Sequence, residues 1–495
     1  MKKIVKSVLL ITATLTMTAC SNDWLDVNPS DSLPSSSAIT SYKDATAALN
    51  GIYDAVQGDS DNSEYYARDM FFYGDVRGDD MQARTQGMRS SSLYEMRYTE
   101  NDAPSIWAVP YTVIRQANNL IEAIESGNVS DGDEVELNNM VAQAKSIRAL
   151  AHFDLVRIYG KPYMVDQGAS AGVPIVTRPL SAEETLGRNT VAEVYEQVIK
   201  DLTEAINSGA LSTEKTLGKF NVWAAKALLS RVYLYKGDNE NALSMAEDVI
   251  KNSPYELWTN AEYVNGWIGD NRKEMILEII NYNSSDWADR EGIAYCLNET
   301  GYADAIVTQS FSDLLNKDPK DVRQGIILKA QDPDMGFMET YKDQQIFVNK
   351  FPAKEAGGDY RVSNLPLLRV SEMYLNAAEA AVKLNKNDIA AKYLNAIVLR
   401  ANPEAKELSP TEVTLDRILD ERRLELVGEG HRFFDLMRNN KQVVRYTSTA
   451  DQGRHYVLLK ESQTFDNTYF RAILPIPIDE INANPVIAQQ QNPGY

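Results

Sequence analysis

Apolar residues recur at three- and four-residue intervals over most of this chain. Tyr111, Ile114, Ala117, Ile121 and Ile124 mark one helix, stopped by Gly127. Met140, Ala144, Ile147, Ala151, Leu155 and Ile158 mark a second, stopped by Gly160 and Pro162. Thr190 with Glu193 three residues on predicts a capping box. It opens a helix through Val194, Val198, Leu202 and Ile206 that ends at Gly209. The period is 3.6 rather than 2, so the protein is predicted to be mainly α.

Two later stretches repeat one plan. Trp223 to Ile250 gives a helix, a break at Lys236-Gly237-Asp238-Asn239, and a second helix carrying Ala242, Ala246 and Ile250. Ser371 to Val398 gives the same, with its break at Leu384 to Asn387 and Ala390, Leu394 and Val398 in register. Small residues recur where paired helices approach closely. Units of this length predict tetratricopeptide-like helix pairs over 111–160, 191–236, 223–251 (sharing a helix) and 369–400. Between them, residues 60–105 and 252–345 carry weak helix signal and are rich in Gly, Asp, Asn, Tyr and Trp. The short apolar runs Met275 to Ile280 and Ile346 to Phe351 predict strands. Loops this long in a compact protein usually carry function.

The N-terminus changes the picture from a plain helical protein to an exported one. Lys2, Lys3 and Lys6 precede an apolar stretch from Val8 to Met17, too short to span a bilayer and of signal-peptide length. It ends in Met17-Thr18-Ala19-Cys20, which resembles a bacterial lipobox, with Met17 where that motif prefers Leu and Thr18 where it prefers Ala or Ser. The expected organisation is a signal peptide over 1–19, a tether over 20–39 lipidated at Cys20, and one domain over 40–495. Acyl chains on Cys20 would contribute about 0.8 kcal/mol per buried methylene. Acylation leaves Cys296 alone, so the core rather than a disulfide must hold the fold. No later segment approaches 18 uninterrupted apolar residues.

Charge narrows the partners. The formal net charge is -20, and loss of the three leader lysines takes it to -23. Such a surface repels nucleic acid and offers no basic patch to anionic lipid, so a neutral ligand or a protein fits better. The three histidines, His152, His431 and His455, have no metal-site spacing, and no nucleophile elbow, P-loop or dinucleotide fingerprint occurs. Asp75, Asp79 and Asp80 leave a calcium site open against a solvated turn. The aromatic content is more suggestive, with 26 Tyr and 6 Trp. Tyr65, Tyr66, Tyr73, Tyr94, Tyr98, Trp258, Trp267, Tyr282, Trp287, Tyr295 and Tyr302 all fall in the loop-rich stretches. Tyr and Trp present flat apolar faces with polar tips, suited to stacking on sugar rings. Any one of them is still expected to pack in the core more often than to meet a ligand. Trp107 and Trp223 lie among apolar helical neighbours and are assigned to the core.

The run Asp420–Arg438, DERRLELVGEGHRFFDLMR, interleaves ten ionisable residues with seven large apolar ones. This predicts a partly buried helical segment whose charges pair with one another and with nearby backbone. The run resembles the signature of the SusD/RagB family of outer-membrane nutrient-binding lipoproteins. The resemblance extends to Asp23-Trp24-Leu25-Asp26, YTVIRQAN (Tyr111–Asn118) and AKSIRALAHFDLVRIYGKP (Ala144–Pro162). It continues through NVWAAKALLSRVYLY (Asn221–Tyr235), LRVSEMYLNAAEA (Leu368–Ala380) and LPIPIDEINANPVIAQQQNPGY (Leu474–Tyr495). Within these motifs Arg148, Glu421, Arg422, Glu425, Arg432 and Asp435 read as scaffold ion pairs.

The resemblance implies a fold of helix pairs as scaffold beside a loop-rich ligand-binding half. It implies a lipoprotein on the outer membrane that captures an oligosaccharide and hands it to a TonB-dependent barrel of the SusC type, without catalysis or cofactor. By position it places ligand contacts at Tyr73, Asp80, Arg84, Tyr98, Asn101, Trp287, Tyr295 and Tyr302. A peptide-binding uptake subunit of the RagB kind and a glycoside hydrolase are the alternatives.

Overall fold

The computed structural model describes residues 38–58, 65–84, 88–269, 273–282, 291–330, 344–355, 357–445 and 458–495. Cys20, Trp24, Trp287 and His455 lie outside these residues. The helices, in chain order, are α1 Tyr42–Gln57, α2 Asp69–Asp75, α3 Met88–Glu95, α4 Ala108–Glu125, α5 Glu134–Tyr159, α6 Val191–Asn207, α7 Val222–Lys236 and α8 Asn239–Asn252. They continue as α9 Ile293–Leu297, α10 Gln309–Leu315, α11 Val370–Lys383, α12 Asn387–Ala401, α13 Leu415–Leu426, α14 Arg432–Arg438, α15 Lys460–Gln463 and α16 Ile478–Ala483. The strands are short: β1 Met81–Ala83, β2 Met275–Ile279, β3 Ala305–Val307, β4 Ile327–Lys329, β5 Gln345–Val348, β6 Leu365–Arg369, β7 Val443–Val444 and β8 Thr464–Phe465. Mainly α with a few short strands is therefore the observed class.

The predicted helix pairs form and join into one stack. α4 packs on α5, α5 on α6, α6 on α7, α7 on α8, and α8 then packs on α11, which carries α12 and α13. The local signals act as read: Thr190 accepts from the Glu193 N–H and Glu193 returns the bond, closing the capping box of α6. A second box, Ser41 with Asp44, opens α1. Gly237 turns the chain with φ +83° between α7 and α8, and Asn385 does so with φ +58° between α11 and α12. Ala377, Ala378, Ala380 and Ala381 of α11 are wholly buried, and their small side chains let three neighbouring helices close on one.

The two stretches of weak helix signal are not bare loops. They carry α2, α3, α9 and α10 and the strands β1, β3 and β4, all too short to leave a periodic trace. Both predicted strands form, with β2 antiparallel to β6 and β5 antiparallel to β4. Ala303, Ile306, Ala330, Ile346 and Phe347 make a small second core there.

The Asp420–Arg438 run departs from its expectation in two respects. It is two helices, α13 and α14, broken by Gly428 (φ +79°) and Gly430 (φ +76°). The break lets α2 come in: a side chain at Gly74 would collide with the Gly430 carbonyl. Most of the charges then pair with distant chain rather than with one another. The Glu425 carboxylate meets Arg369 at 2.7 Å and Arg400 at 2.6 Å, and the same two arginines hold Glu274 at 3.0 and 2.9 Å. Glu429 meets Lys350 at 2.5 Å and Arg369 at 2.7 Å. Glu421 meets Arg323 at 2.6 Å, and Arg438 meets Asp435 at 2.6 Å and also Glu379. Burial pushes the Glu425 carboxyl up, but Arg400, Arg369 and Arg323 together hold it well below the usual range. Desolvation of Lys350 outweighs Glu429 and lowers its ammonium to about 8.

His152 on α5 is another buried titratable group. Its Nε2 accepts the Val176 N–H at 3.1 Å, so Nδ1 carries the proton and donates to the Arg148 carbonyl at 3.1 Å. Burial lowers it to about 4. Behind it Arg148 is held by Asp201 at 2.7 Å and by Asn118 at 2.7 Å.

Two outcomes are expected in chemical denaturation. Glu425→Ala strands Arg369 and Arg400 in the core and lowers stability by about 3–5 kcal/mol. Glu404→Ala, which removes an exposed partner of Lys320, changes it by about 1 kcal/mol or less. Between pH 6.5 and 4 the unfolded chain takes up a proton at His152 that the folded chain refuses. Stability therefore falls as pH drops through this window, by about 3 kcal/mol for this group. His152→Gln flattens that part of the profile; an unchanged acid limb would show that His152 is not its source.

Candidate ligand-binding site

Among the described residues, partly exposed aromatic rings come together at the end of α9, as they also do at Tyr469, Phe470 and Tyr495. The chain leaves Leu297, turns through Asn298 to Gly301, and doubles back so that the Tyr302 N–H donates to the Tyr295 carbonyl at 3.0 Å. A side chain at Gly301 would collide with that carbonyl, so only glycine permits the return. The two rings meet edge to face, with centroids 5.0 Å apart and planes at 81°. Ala303, at φ +47°, then redirects the chain into β3.

A charge cluster fixes the pair from beneath. The Arg89 guanidinium lies 3.4 Å from the Tyr302 ring centroid and grips both Glu291 oxygens, at 2.5 and 2.6 Å. Arg89 also reaches Asp304 at 3.5 Å, and Arg68 joins Glu291 at 2.8 Å. Hydrogen bonding from Arg89 lowers the Glu291 carboxyl below its ordinary value, whereas burial raises that of Asp304 against the pull of Arg89. Arg89 thus stands bonded to both carboxylates, a geometry for holding a platform rather than for exchanging protons. On the other flank of Tyr295, Gln57 donates to Asn281, which donates to the Ser363 carbonyl at 2.6 Å, and Arg361 is clamped by Asp359 at 2.8 Å. These groups border a small cavity against Tyr295. The neighbouring Tyr282 is 71% exposed, with the Lys354 ammonium 5.9 Å from its ring.

The other residues assigned by position lie elsewhere. Tyr73 is wholly buried: its ring stacks on Phe434 at 5.3 Å, Arg77 covers it, and its hydroxyl donates to the Ile158 carbonyl at 3.2 Å. Asp80 is buried and pairs with Arg423 at 2.8 Å. Tyr98 is buried beside Arg77, its hydroxyl donating to the Arg471 carbonyl at 3.3 Å. Arg84 is buried at the end of β1, its backbone N–H donating to the Asp304 carbonyl at 2.9 Å. In this conformation these four offer a ligand little or no surface. Asn101 is exposed in a turn with Thr99 and Asp102, and Trp287 lies outside the described residues. Tyr295 and Tyr302 alone of the assigned set are brought together. Tyr65, Tyr66, Tyr94, Trp258 and Trp267 are buried, as are Trp107 and Trp223.

The calcium reading does not survive the geometry. Asp79 is held by Arg432 at 2.7 Å, Asp80 by Arg423, and Asp75 accepts the Gly430 N–H at 2.9 Å. Burial pushes the Asp75 carboxyl well up, against that backbone bond and Lys350. Among the described residues no three His, Cys, Asp or Glu side chains are grouped to hold a metal. Cys296 is buried under the Tyr295 turn, and burial raises its thiol well above the ordinary range. Arg68, Arg89 and Glu291 were invisible in the sequence: they are charges far apart along the chain with no motif of their own, and only the tertiary fold assembles them.

Comparison with known proteins places this geometry. Residues 209–495 match the SusD family, and residues 23–234 match a family described as starch-binding and associating with the outer membrane. A crystal structure from Bacteroides vulgatus, of a protein provisionally described as sugar-binding, is 40% identical; the match covers 92% of this chain and 99% of that one with a TM-score of 0.84. A laminarin-binding SusD-like protein is 26% identical over 92% of this chain and all of its own, with a TM-score of 0.68. A SusD-like protein of Bacteroides ovatus is 26% identical over 88% of this chain and 83% of its own. With its stack of helix pairs, the α13–α14 charge hub and these matches over nearly its whole length, the chain belongs to the SusD family.

Proposed function

We propose that this protein captures an oligosaccharide at the cell surface and passes it, uncleaved, to a TonB-dependent barrel of the SusC type. The observation that carries the reading is the Tyr295–Tyr302 pair, two partly exposed rings held edge to face over a charged base. Rings fixed in advance lose little freedom on meeting a sugar, and their hydroxyls add directed hydrogen bonds. Tyr295 and Tyr302 form the platform, Tyr282 extends it, and Trp287 is a further contact that the family resemblance implies. Membership of the SusD family and the sugar- and laminarin-binding relatives support a saccharide over other neutral ligands.

In this reading the leader over 1–19 directs export, Cys20 is acylated, and residues 20–39 tether one domain, 40–495, to the outer membrane. No helix among the described residues is long and apolar enough to cross a membrane; the acyl chains on Cys20 make the attachment in this reading. The helical stack presents the face for the barrel, and the loop-rich half holds the ligand.

The chain beginning at Ser21 should bind one class within a panel of plant, host and microbial glycans saturably in calorimetry, with no new saccharide released on prolonged incubation. Tyr295→Ala and Tyr302→Ala should each weaken binding about tenfold or more without lowering the unfolding midpoint substantially. Trp287→Ala should do the same. Wild-type affinity in the two tyrosine variants would remove the platform from the site, and product release would replace capture by hydrolysis.

A further inference from the structure

A second cleft opens on the helical stack, where the start of α4, the segment 174–186 and α16 meet. Its volume is about 480 Å³. Trp107, Tyr111, Leu180 and Pro477 wall it, and three carboxylates, Glu184, Asp479 and Glu480, line it with no Lys, Arg or His among the described lining residues. We propose that this cleft receives a lysine or arginine side chain from a polypeptide partner.

The carboxylate at the centre is built in. Glu480 accepts the Trp107 indole N–H at 3.3 Å and the Asn484 amide at 2.9 Å, and Asn484 is itself fixed to the Leu186 carbonyl at 3.0 Å. These donors are neutral, so they orient Glu480 without cancelling its charge. The Trp107 and Tyr111 rings lie 4.9 Å apart, and the Tyr111 hydroxyl is tied to the Pro174 carbonyl at 2.9 Å. Arg188 lies behind the wall, its guanidinium donating to the carbonyls of Gly172 and Gln490 at 2.7 Å and of Tyr159 and Ala171 at 3.0 Å. Glu184 is paired with Arg178, but both are exposed, and such a pair yields readily to a better-placed cation. An electron-rich wall beside Asp479 and Glu480, which no Lys, Arg or His among the described lining residues answers, repels an anionic sugar and leaves a neutral one with charges it does not meet. A basic side chain matches both parts: its aliphatic stem lies along Leu180 and Pro477, and its head meets Glu480, Asp479 and the ring faces.

The inference stands apart from saccharide capture at Tyr295, and its test separates the two. The full folded chain is titrated by calorimetry with a capped hexapeptide of alternating Lys and Leu, and with the same peptide acetylated on every lysine. The unmodified peptide should bind at least about tenfold more tightly. Asp479→Asn with Glu480→Gln should remove that preference, and Asp479→Asn alone, at an exposed position outside the Trp107 contact, should reduce it. Glu404→Gln with Asp416→Asn, which removes equal charge at exposed remote sites, should leave it intact. Equal weakening by the remote pair, equal affinity of the two peptides, or displacement of the peptide by a neutral hexasaccharide would overturn the proposal.

Discussion

A guanidinium or carboxylate removed from water must find an opposite charge, and that single requirement organises this protein. Glu425 shows it most plainly: it is wholly buried and tolerable there only because Arg369, Arg400 and Arg323 converge on it from three separate parts of the chain. Those arginines are in turn tolerable only because Glu274, Glu429, Glu421 and Asp321 return the charge. No partner in the set is neighbour to all the rest in sequence. The hub closes only when β6, α12, α13 and the 321–323 turn are in their final places, so it selects one arrangement of the stack against looser ones. Apolar packing supplies the larger driving force, but it is far less particular about register.

The same logic recurs at the edges of the fold. Asp79 and Asp80, which as bare sequence suggested a cation site, are instead the anchor points of Arg432 and Arg423. They tie the α2–β1 corner to α13 and α14, and the glycines at 74 and 430 allow the backbones to close to contact. In the loop-rich half, Arg89, Glu291 and Asp304 do for the Tyr295–Tyr302 turn what the hub does for the stack. There Arg89 and Glu291 are partly exposed over a buried Asp304, and what the cluster stabilises is a surface. A binding face made by rings on a fixed base suits reversible capture, because little order has to be created when a ligand arrives.

The assignment of ligand residues by position shows where a linear reading runs out. Tyr98 and Tyr302 look alike in sequence, each an aromatic residue in a polar, loop-like stretch, whereas Tyr73 follows the apolar Met70, Phe71 and Phe72. Tyr73 proves to lie on α2, a seven-residue helix too short to show its period, and is covered by Phe433, Phe434 and Arg77. Tyr98 sits against the 469–471 segment, almost the other end of the chain. Tyr302 stays at the surface because Gly301 turns it outward onto Tyr295. Burial of Tyr98 depends on what arrives from far away, and its adjacent residues carry no record of that.

The sequence by itself determined the long helices of the stack over 111–160, 191–251 and 369–400 and their pairing within each unit, because period, capping residues and turn glycines act within a few residues of one another. It also determined that the Asp420–Arg438 charges belong to the scaffold, since so many ionisable groups among so many apolar ones cannot all face water. Only the tertiary structure decided which arginine meets which carboxylate, which tyrosines reach the surface, and that α8 continues into α11. Those choices rest on contacts between segments tens to hundreds of residues apart, whose energies exist only once the chain has closed on itself.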